Sequence, residues 1–258
     1  MESAIITGTG IYEIPGITFK PEQIDTPFGI AQVYLGKKDG FEVAFLARHG
    51  IDHSTPPHKI NYLANIKALQ MLGVKRVLAT YAVGSINREI PPMGLALLSD
   101  FIDFTNNRPL SFYNGGKSGL AHTSMDEVYC PAMRRKVREL AETYQLKIHP
   151  SAVYVATNGP RFETPAEIRM YAQLGGDVVG MTGVPEVVLA RELNMHFAAV
   201  AFSTNWAAGL EKELEFVSGD MEGLRRQLAD LLVQTLQELD TLDCKCETAV
   251  MMMHPPEE

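Results

Sequence analysis

Several things are scarce in this sequence, and each scarcity removes a class of function. Three cysteines occur in 258 residues, Cys130, Cys244 and Cys246. Three sulfurs do not build a disulfide framework. Cys244 and Cys246 form a CKC pair in the ragged ending CETAVMMMHPPEE. Two sulfurs without clear partners make a poor zinc site, so no metal is expected. Long basic runs are missing too: RRKVRE at 134–139 carries an acid alongside and reads as a solvated helix face. With 23 basic against 31 acidic residues the net charge is -8. Nucleic acid and anionic membrane surfaces are therefore not expected partners. No apolar run reaches the ~18 residues that span a bilayer. The opening MESAIITGTGIY has no basic segment before its apolar run. No secretion signal is read there, and a reducing, cytoplasmic location is expected.

What is present is an alternation of short β-rich runs and helical patterns. AIIT (4–7), EVAFLA (42–47), RVLATYAV (76–83), LALLSDFIDFT (95–105), AVYVAT (152–157), DVVGM (177–181) and FAAVAFST (197–204) read as strands. Their continuous apolar character suits strands covered on both faces. Residues 60–72 have helical spacing and stop at Gly73. Thr164-Pro165-Ala166-Glu167 is a capping box that starts a helix running to about Leu174. PEVVLAREL (185–193) is a short helix, and an apolar stripe from Met221 to Leu239 marks a long one. There is no internal repeat and no linker. The expectation is one α/β domain over 1–241, with a central mixed sheet flanked by helices, and a flexible tail over 242–258.

Four loops could carry chemistry. Gly8-Thr9-Gly10 follows the first strand, but Pro15 and Gly16 fall where a dinucleotide crossover helix would begin, so that fingerprint fails. The loop still offers amides and a hydroxyl to an oxyanion. Arg48 and His49 end a strand in ARHGIDHSTPPHKINY. A guanidinium there suits phosphate; a surface Arg beside a satisfied histidine is the plainer reading. His49, His53 and His58 fall close together, without the carboxylate pattern of a metal site. Glu163 precedes the helix cap, free to enter a cavity, although a carboxylate at a helix start is also favourable electrostatics. Met181 and Thr182 join a strand to a helix, where hydroxyl and amides again suit an anion; Met181 also fits a core. Asn205 sits where an apolar strand opens into a loop, so its amide must be satisfied by the fold or by a ligand.

Taken together, GTGIY, RHG…PPHKINYLAN, AVGSIN, NGPRFET, GMTGVPEVVLARE and STN resemble the trimeric purine nucleoside phosphorylases, in that family's order and from about residue 4 to about 240. The similarity is greatest to the 5′-methylthioadenosine and 5′-methylthioinosine branch. The resemblance implies cleavage of a nucleoside's N-glycosidic bond by inorganic phosphate, a co-substrate, with no other cofactor and no metal. It implies phosphate ligands at Thr9, Arg48, His49 and Thr182, with main-chain amides near Tyr81 and Ala82. Met181 would contact ribose and Phe162 would pack on the base. Asn205, Glu163 and His49 would be the catalytic set. In the 6-aminopurine branch two aspartates stand at the positions of Asn205 and Ala207, and a small hydroxyl residue at Glu163. A carboxylate accepts N1–H of a 6-oxopurine, whereas adenine N1 is itself an acceptor, so two acceptors would face each other. A 6-oxopurine is therefore expected. The resemblance also implies a homotrimer in which His122 reaches a neighbour's site; by itself, a histidine on a surface loop is unremarkable. Leu214, Phe216, Val217, Met221 and Leu224 replace the histidine that bonds a 5′-hydroxyl elsewhere in the family, so a 5′-methylthio group is expected.

Overall fold

The computed structural model describes residues 1–213, 215–216, 219–239 and 242–253. The strands are β1 (Ser3–Thr7), β2 (Thr18–Thr26), β3 (Gly29–Lys38), β4 (Phe41–Ala47), β5 (Arg76–Ser85), β6 (Leu95–Asp103), β7 (Leu120–Thr123), β8 (Ile148–Ala156), β9 (Val178–Gly180), β10 (His196–Trp206) and β11 (Val250–Met253). The helices are α1 (Tyr62–Met71), α2 (Pro131–Thr143), α3 (Pro165–Gln173), α4 (Gly183–Glu192) and α5 (Met221–Gln237).

Nine strands form one mixed sheet in the order β10-β6-β8-β9-β5-β1-β4-β3-β2. β10 also pairs with β5, so the first five strands close into a ring and the rest extend from it. β1 is fully buried and lies parallel to both β4 and β5, consistent with its unbroken apolar run. This is the expected α/β domain with helices on both faces. α1 and α4 pack together on one side, α2 and α5 on the other. Along α5, Leu228, Leu231, Leu232 and Leu236 are buried; each such side chain contributes roughly 1.5–3 kcal/mol of transfer free energy. The capping box of α3 forms, Thr164 accepting from the Glu167 amide while the Glu167 carboxylate accepts from the Thr164 amide.

Two features depart from the expectation. β2 and β3 pair antiparallel at the sheet edge, and neither was expected from the sequence. β2 is mostly exposed and contains Pro21, which only an edge strand tolerates, so it lacks the apolar run that marks a buried strand. The segment after 241 was expected to be loose. Instead Cys246 is buried and β11 pairs antiparallel with β7, Met251 opposite His122. The physical reason is a cluster of side chains from distant parts of the chain, described below, that gathers both tail cysteines.

Candidate active site

A cavity of about 680 Å³ opens at the carboxyl ends of β1, β4, β5, β9 and β10. That is where α/β sheets place ligands, and the volume falls in the ~300–1,000 Å³ range of small-molecule sites. Thr9, Arg48, His49, Ala82 and Thr182 line it, as do Phe162, Glu163, Met181, Asn205 and Ala207. Ten of the twelve residues expected to bind phosphate, ribose or base, or to serve a neighbour's site, thus share one concavity. Tyr81 and His122 are the exceptions. Tyr81 is buried behind the wall and donates its hydroxyl to Glu186 Oε2 at 2.9 Å. His122 is exposed on β7 and is not among the residues lining this chain's own cavity.

Arg48 is less free than a phosphate ligand was expected to be. Its Nε donates to Glu186 Oε1 at 2.6 Å and its Nη2 to Glu186 Oε2 at 3.0 Å. Nη1 donates to the Thr80 carbonyl at 2.8 Å. Burial by itself would lower the guanidinium's pKa, but Glu186 outweighs it and the net shift is upward. Nη1 carries a second hydrogen. A Cβ on Gly8 would stand 2.5 Å from that Nη1 and 3.5 Å from His49 Cδ2. A glycine is therefore required for the first loop to lie against the Arg-His pair.

His49 Nδ1 donates to the Thr55 carbonyl at 2.7 Å, which fixes the tautomer and leaves Nε2 as the acceptor of the neutral ring. Burial, reinforced by the Arg48 and His53 charges, pushes its pKa down to about 4. The imidazole is thus neutral at pH 7. It can take a hydrogen from a protonated phosphate oxygen rather than give one.

At the start of α4 the amides of Thr182 and Gly183 both donate to the buried Tyr154 hydroxyl at 3.2 Å. The expectation that these amides face an anion is corrected: the phenol takes them. The Thr182 hydroxyl makes no cap bond, so it remains available to the cavity. A further cation, unforeseen in the sequence, is Arg225 near the start of α5. Its guanidinium covers Gly10, it lines the cavity, and its Nε has no partner among the described residues. Nothing in the helical stripe distinguished it from a solvated arginine.

The remaining residues are braced by neighbours the sequence reading also missed. Thr157 donates its hydroxyl to Glu163 Oε1 at 2.8 Å. Thr204 donates to Asn205 Oδ1 at 2.8 Å, and Asn205 Nδ2 donates to the Trp206 carbonyl at 2.9 Å. The fold therefore satisfies one valence on each end of the Asn205 amide and leaves the second of each. A bulge between Ser203 and Asn205 in the pairing with β5 sets the direction of that side chain. Arg108 donates to the Met181 carbonyl at 2.6 Å and the Asn158 carbonyl at 2.7 Å, tying two wall loops together. Gly159, at φ 59°, lies so close to Met181 Sδ that a Cβ would collide with it. The Phe162 and Phe216 rings meet at 6.1 Å, both half exposed, and Met221 completes that part of the wall. Of the apolar residues expected around a 5′ group, Leu224 packs on the core instead, and Leu214 and Val217 lie outside the described residues.

One cavity thus gathers an arginine, a neutral imidazole and threonine hydroxyls, which can hold an oxyanion, beside a carboxylate, an amide and an aromatic ring, which can hold a polar planar group. Comparison with known proteins gives the class: the family model of the Phosphorylase superfamily matches residues 2–237, and the chain belongs to that family. It is 45% identical to the 6-oxopurine nucleoside phosphorylase of Pyrococcus furiosus, covering 96% of this chain and 97% of that one. It is 42% identical to the probable S-methyl-5′-thioinosine phosphorylase of Methanopyrus kandleri, again over 96% and 97%. Among solved structures, a methylthioadenosine phosphorylase from an antarctic soil metagenomic library superposes with a TM-score of 0.90 at 31% identity, over 98% of this chain and 93% of that one.

Proposed function

We propose that the enzyme cleaves 6-oxopurine nucleosides with inorganic phosphate, releasing the free base and a pentose 1-phosphate, with 5′-methylthioinosine as the preferred substrate. The observation that carries this reading is the pairing, in one cavity, of Glu163 with Asn205. A phosphate oxygen forms the bond to C1′ as the C1′–N9 bond breaks; the electron pair leaves on the purine, which takes up at N7, through solvent, the proton that hydrogen phosphate gives up on becoming the ester. The transition state carries positive charge on the ribosyl ring, as in glycoside hydrolysis. Thr9, Arg48, His49 and Thr182 hold the anion against that charge, supplying proximity and electrostatic stabilisation together. Asn205 accepts from the N7–H of the departing base through Oδ1 and donates to the 6-oxo group through Nδ2. Glu163, aimed by Thr157, accepts from N1–H. Phe162 covers the base and Met181 the ribose.

A nucleosidase using water on the same fold is the competing reading. An arginine, a threonine pair and a fixed imidazole at one spot favour phosphate, since water needs no such cradle. The deciding experiment is a panel of methylthioinosine, methylthioadenosine, inosine, guanosine and adenosine, each with and without phosphate. Phosphate-dependent release of hypoxanthine from methylthioinosine is the expected result, and equal turnover without phosphate sinks it. Three free cysteines support a reducing, cytoplasmic setting, and no helix of the described residues is long and apolar enough to cross a membrane. We further propose a homotrimer in which the exposed His122 serves a neighbour's cavity. Full activity in a species that sediments as a monomer would remove that proposal.

A further inference from the structure

A cluster of side chains that does not line the cavity is left unused by the mechanism. Cys130 is the N-cap residue of α2, His196 opens β10, and Cys244 and Cys246 come from the segment leading into β11. One ligand atom from each, the three Sγ atoms and a ring nitrogen of His196, lies within 4.8 Å of all the others, and Cys130, His196 and Cys246 are buried. The CKC pair, read in the sequence as lacking partners, has two of them, brought in from 114 and 48 residues away.

We infer that these four residues, Cys130, His196, Cys244 and Cys246, form a structural zinc site. Three sulfurs and one imidazole are a donor set that zinc selects, and four protein ligands leave no open position, as in sites that hold a fold together. Zn–S bonds of ~2.3 Å and a Zn–N bond of ~2.0–2.1 Å give tetrahedral S–S edges of about 3.8 Å and S–N edges of about 3.6 Å. Here Cys130 Sγ and Cys244 Sγ stand 3.6 Å apart, and Cys130 Sγ and Cys244 Sγ stand 3.7 and 3.2 Å from His196 Nδ1. The outer shell agrees. His196 Nε2 faces Glu247 Oε1 at 3.4 Å, the carboxylate–histidine arrangement that orients a ligating ring. Zinc with three thiolates carries one net negative charge. Arg191 is buried, and its Nε and Nη1 are unpaired among the described residues, leaving a cation that could offset that charge. All three cysteines are free thiols, and in a reducing compartment such a cluster is better suited to metal than to a disulfide. The ion would staple the C-terminal segment to α2 and β10, and so hold β11 against β7, the strand that carries His122.

The test is metal analysis of the full-length enzyme, purified with reductant and desalted. About one zinc per chain is expected in the wild type, and less than about a tenth in Cys244→Ser and Cys246→Ser. Cobalt(II) exchanged into the wild type should give a thiolate-to-cobalt charge-transfer band, which needs no variant to fold. In Cys246→Ser the band should fall to less than about a tenth, in step with the lost metal. Stripping with a chelator should remove hydrogen-exchange protection from 120–123 and 250–253 and leave 76–85 unchanged. The proposal is overturned if the wild type holds no zinc and the reduced chain retains none after incubation with zinc chloride. It is equally overturned if thiol trapping at lysis recovers a disulfide among these cysteines.

Discussion

Glu186 grips Arg48 through both carboxylate oxygens, at 2.6 and 3.0 Å, with the two side chains 2% and 1% exposed. Arg48 also lines the cavity, and Tyr81 adds a third contact to the same carboxylate. Arg48 is thereby both a wall of the cavity and half of a buried ion pair. Removing it leaves a buried carboxylate without its partner.

Arg48→Ala should therefore lose stability as well as activity, by about 3–5 kcal/mol in urea unfolding. The phosphate role is read more cleanly at Thr182, whose hydroxyl makes no cap bond. A hydrogen bond to a charged group is worth ~1.5–3 kcal/mol, so Thr182→Val should lower kcat/KM for phosphate roughly 10- to 100-fold. Its melting temperature should stay near that of the wild type. A Thr182→Val enzyme that is as unstable as Arg48→Ala would contradict this division of roles.

His49 carries a pH signature. In the unfolded chain it takes up a proton near 6.5, whereas in the folded protein it does so at about 4. Between those values the unfolded state binds more protons, so stability rises with pH across that window and is lost as pH falls through it. Urea unfolding at pH 4.5 and 7 should show a drop at the lower pH that shrinks in His49→Asn. Proton NMR of the phosphate-free enzyme should place the ring's titration midpoint well below 6.5, and a midpoint at or above 6.5 would refute the assignment.

Discrimination between oxo and amino purines should be steep. A site built to bond one edge rejects a mismatched edge by ~10⁴-fold where buried groups are left unpaired. Asn205→Asp combined with Glu163→Ser should shift preference toward adenine nucleosides. Thr157→Val, which only frees Glu163 to swing, should raise KM for methylthioinosine more than it lowers kcat. Equal cleavage of methylthioadenosine and methylthioinosine by the wild type would show that Asn205 and Glu163 do not select the base.

The 5′ group is read by apolar wall, with Phe216 and Met221 the described members. Such pockets discriminate by ~1–3 kcal/mol, so methylthioinosine should exceed inosine in kcat/KM by roughly 10- to 200-fold. Met221→Ala should cut that ratio. A wild-type ratio near one would make the enzyme a general inosine and guanosine phosphorylase.

Much of the site was legible because its residues sit at strand ends and helix starts that local pattern marks: Arg48 after an apolar run, Glu163 before a capping box, Asn205 where β10 gives way to a loop. Their partners were not legible. Thr157, Thr204, Arg108 and Glu186 matter through contacts made across the fold, and a threonine or a buried glutamate in a helical stretch carries no local signal of that. The same holds for Cys130 and His196, which only the path of β10 and the start of α2 bring beside the CKC pair. The edge hairpin of β2 and β3 escaped notice because the buried-strand pattern is absent where one face meets water.

β10 begins at His196 and carries Asn205 near its other end, roughly 30 Å away at the ~3.3 Å rise of a strand. Its register against β5 and β6 sets both. A slip of one residue would turn every side chain to the opposite face, so the amide would leave the cavity at the same moment as the imidazole left the sulfurs. A metal ion held at one end of the strand would therefore clamp the register that the other end depends on, so the cysteine cluster and the nucleoside-facing amide share one alignment of β10 against its neighbours.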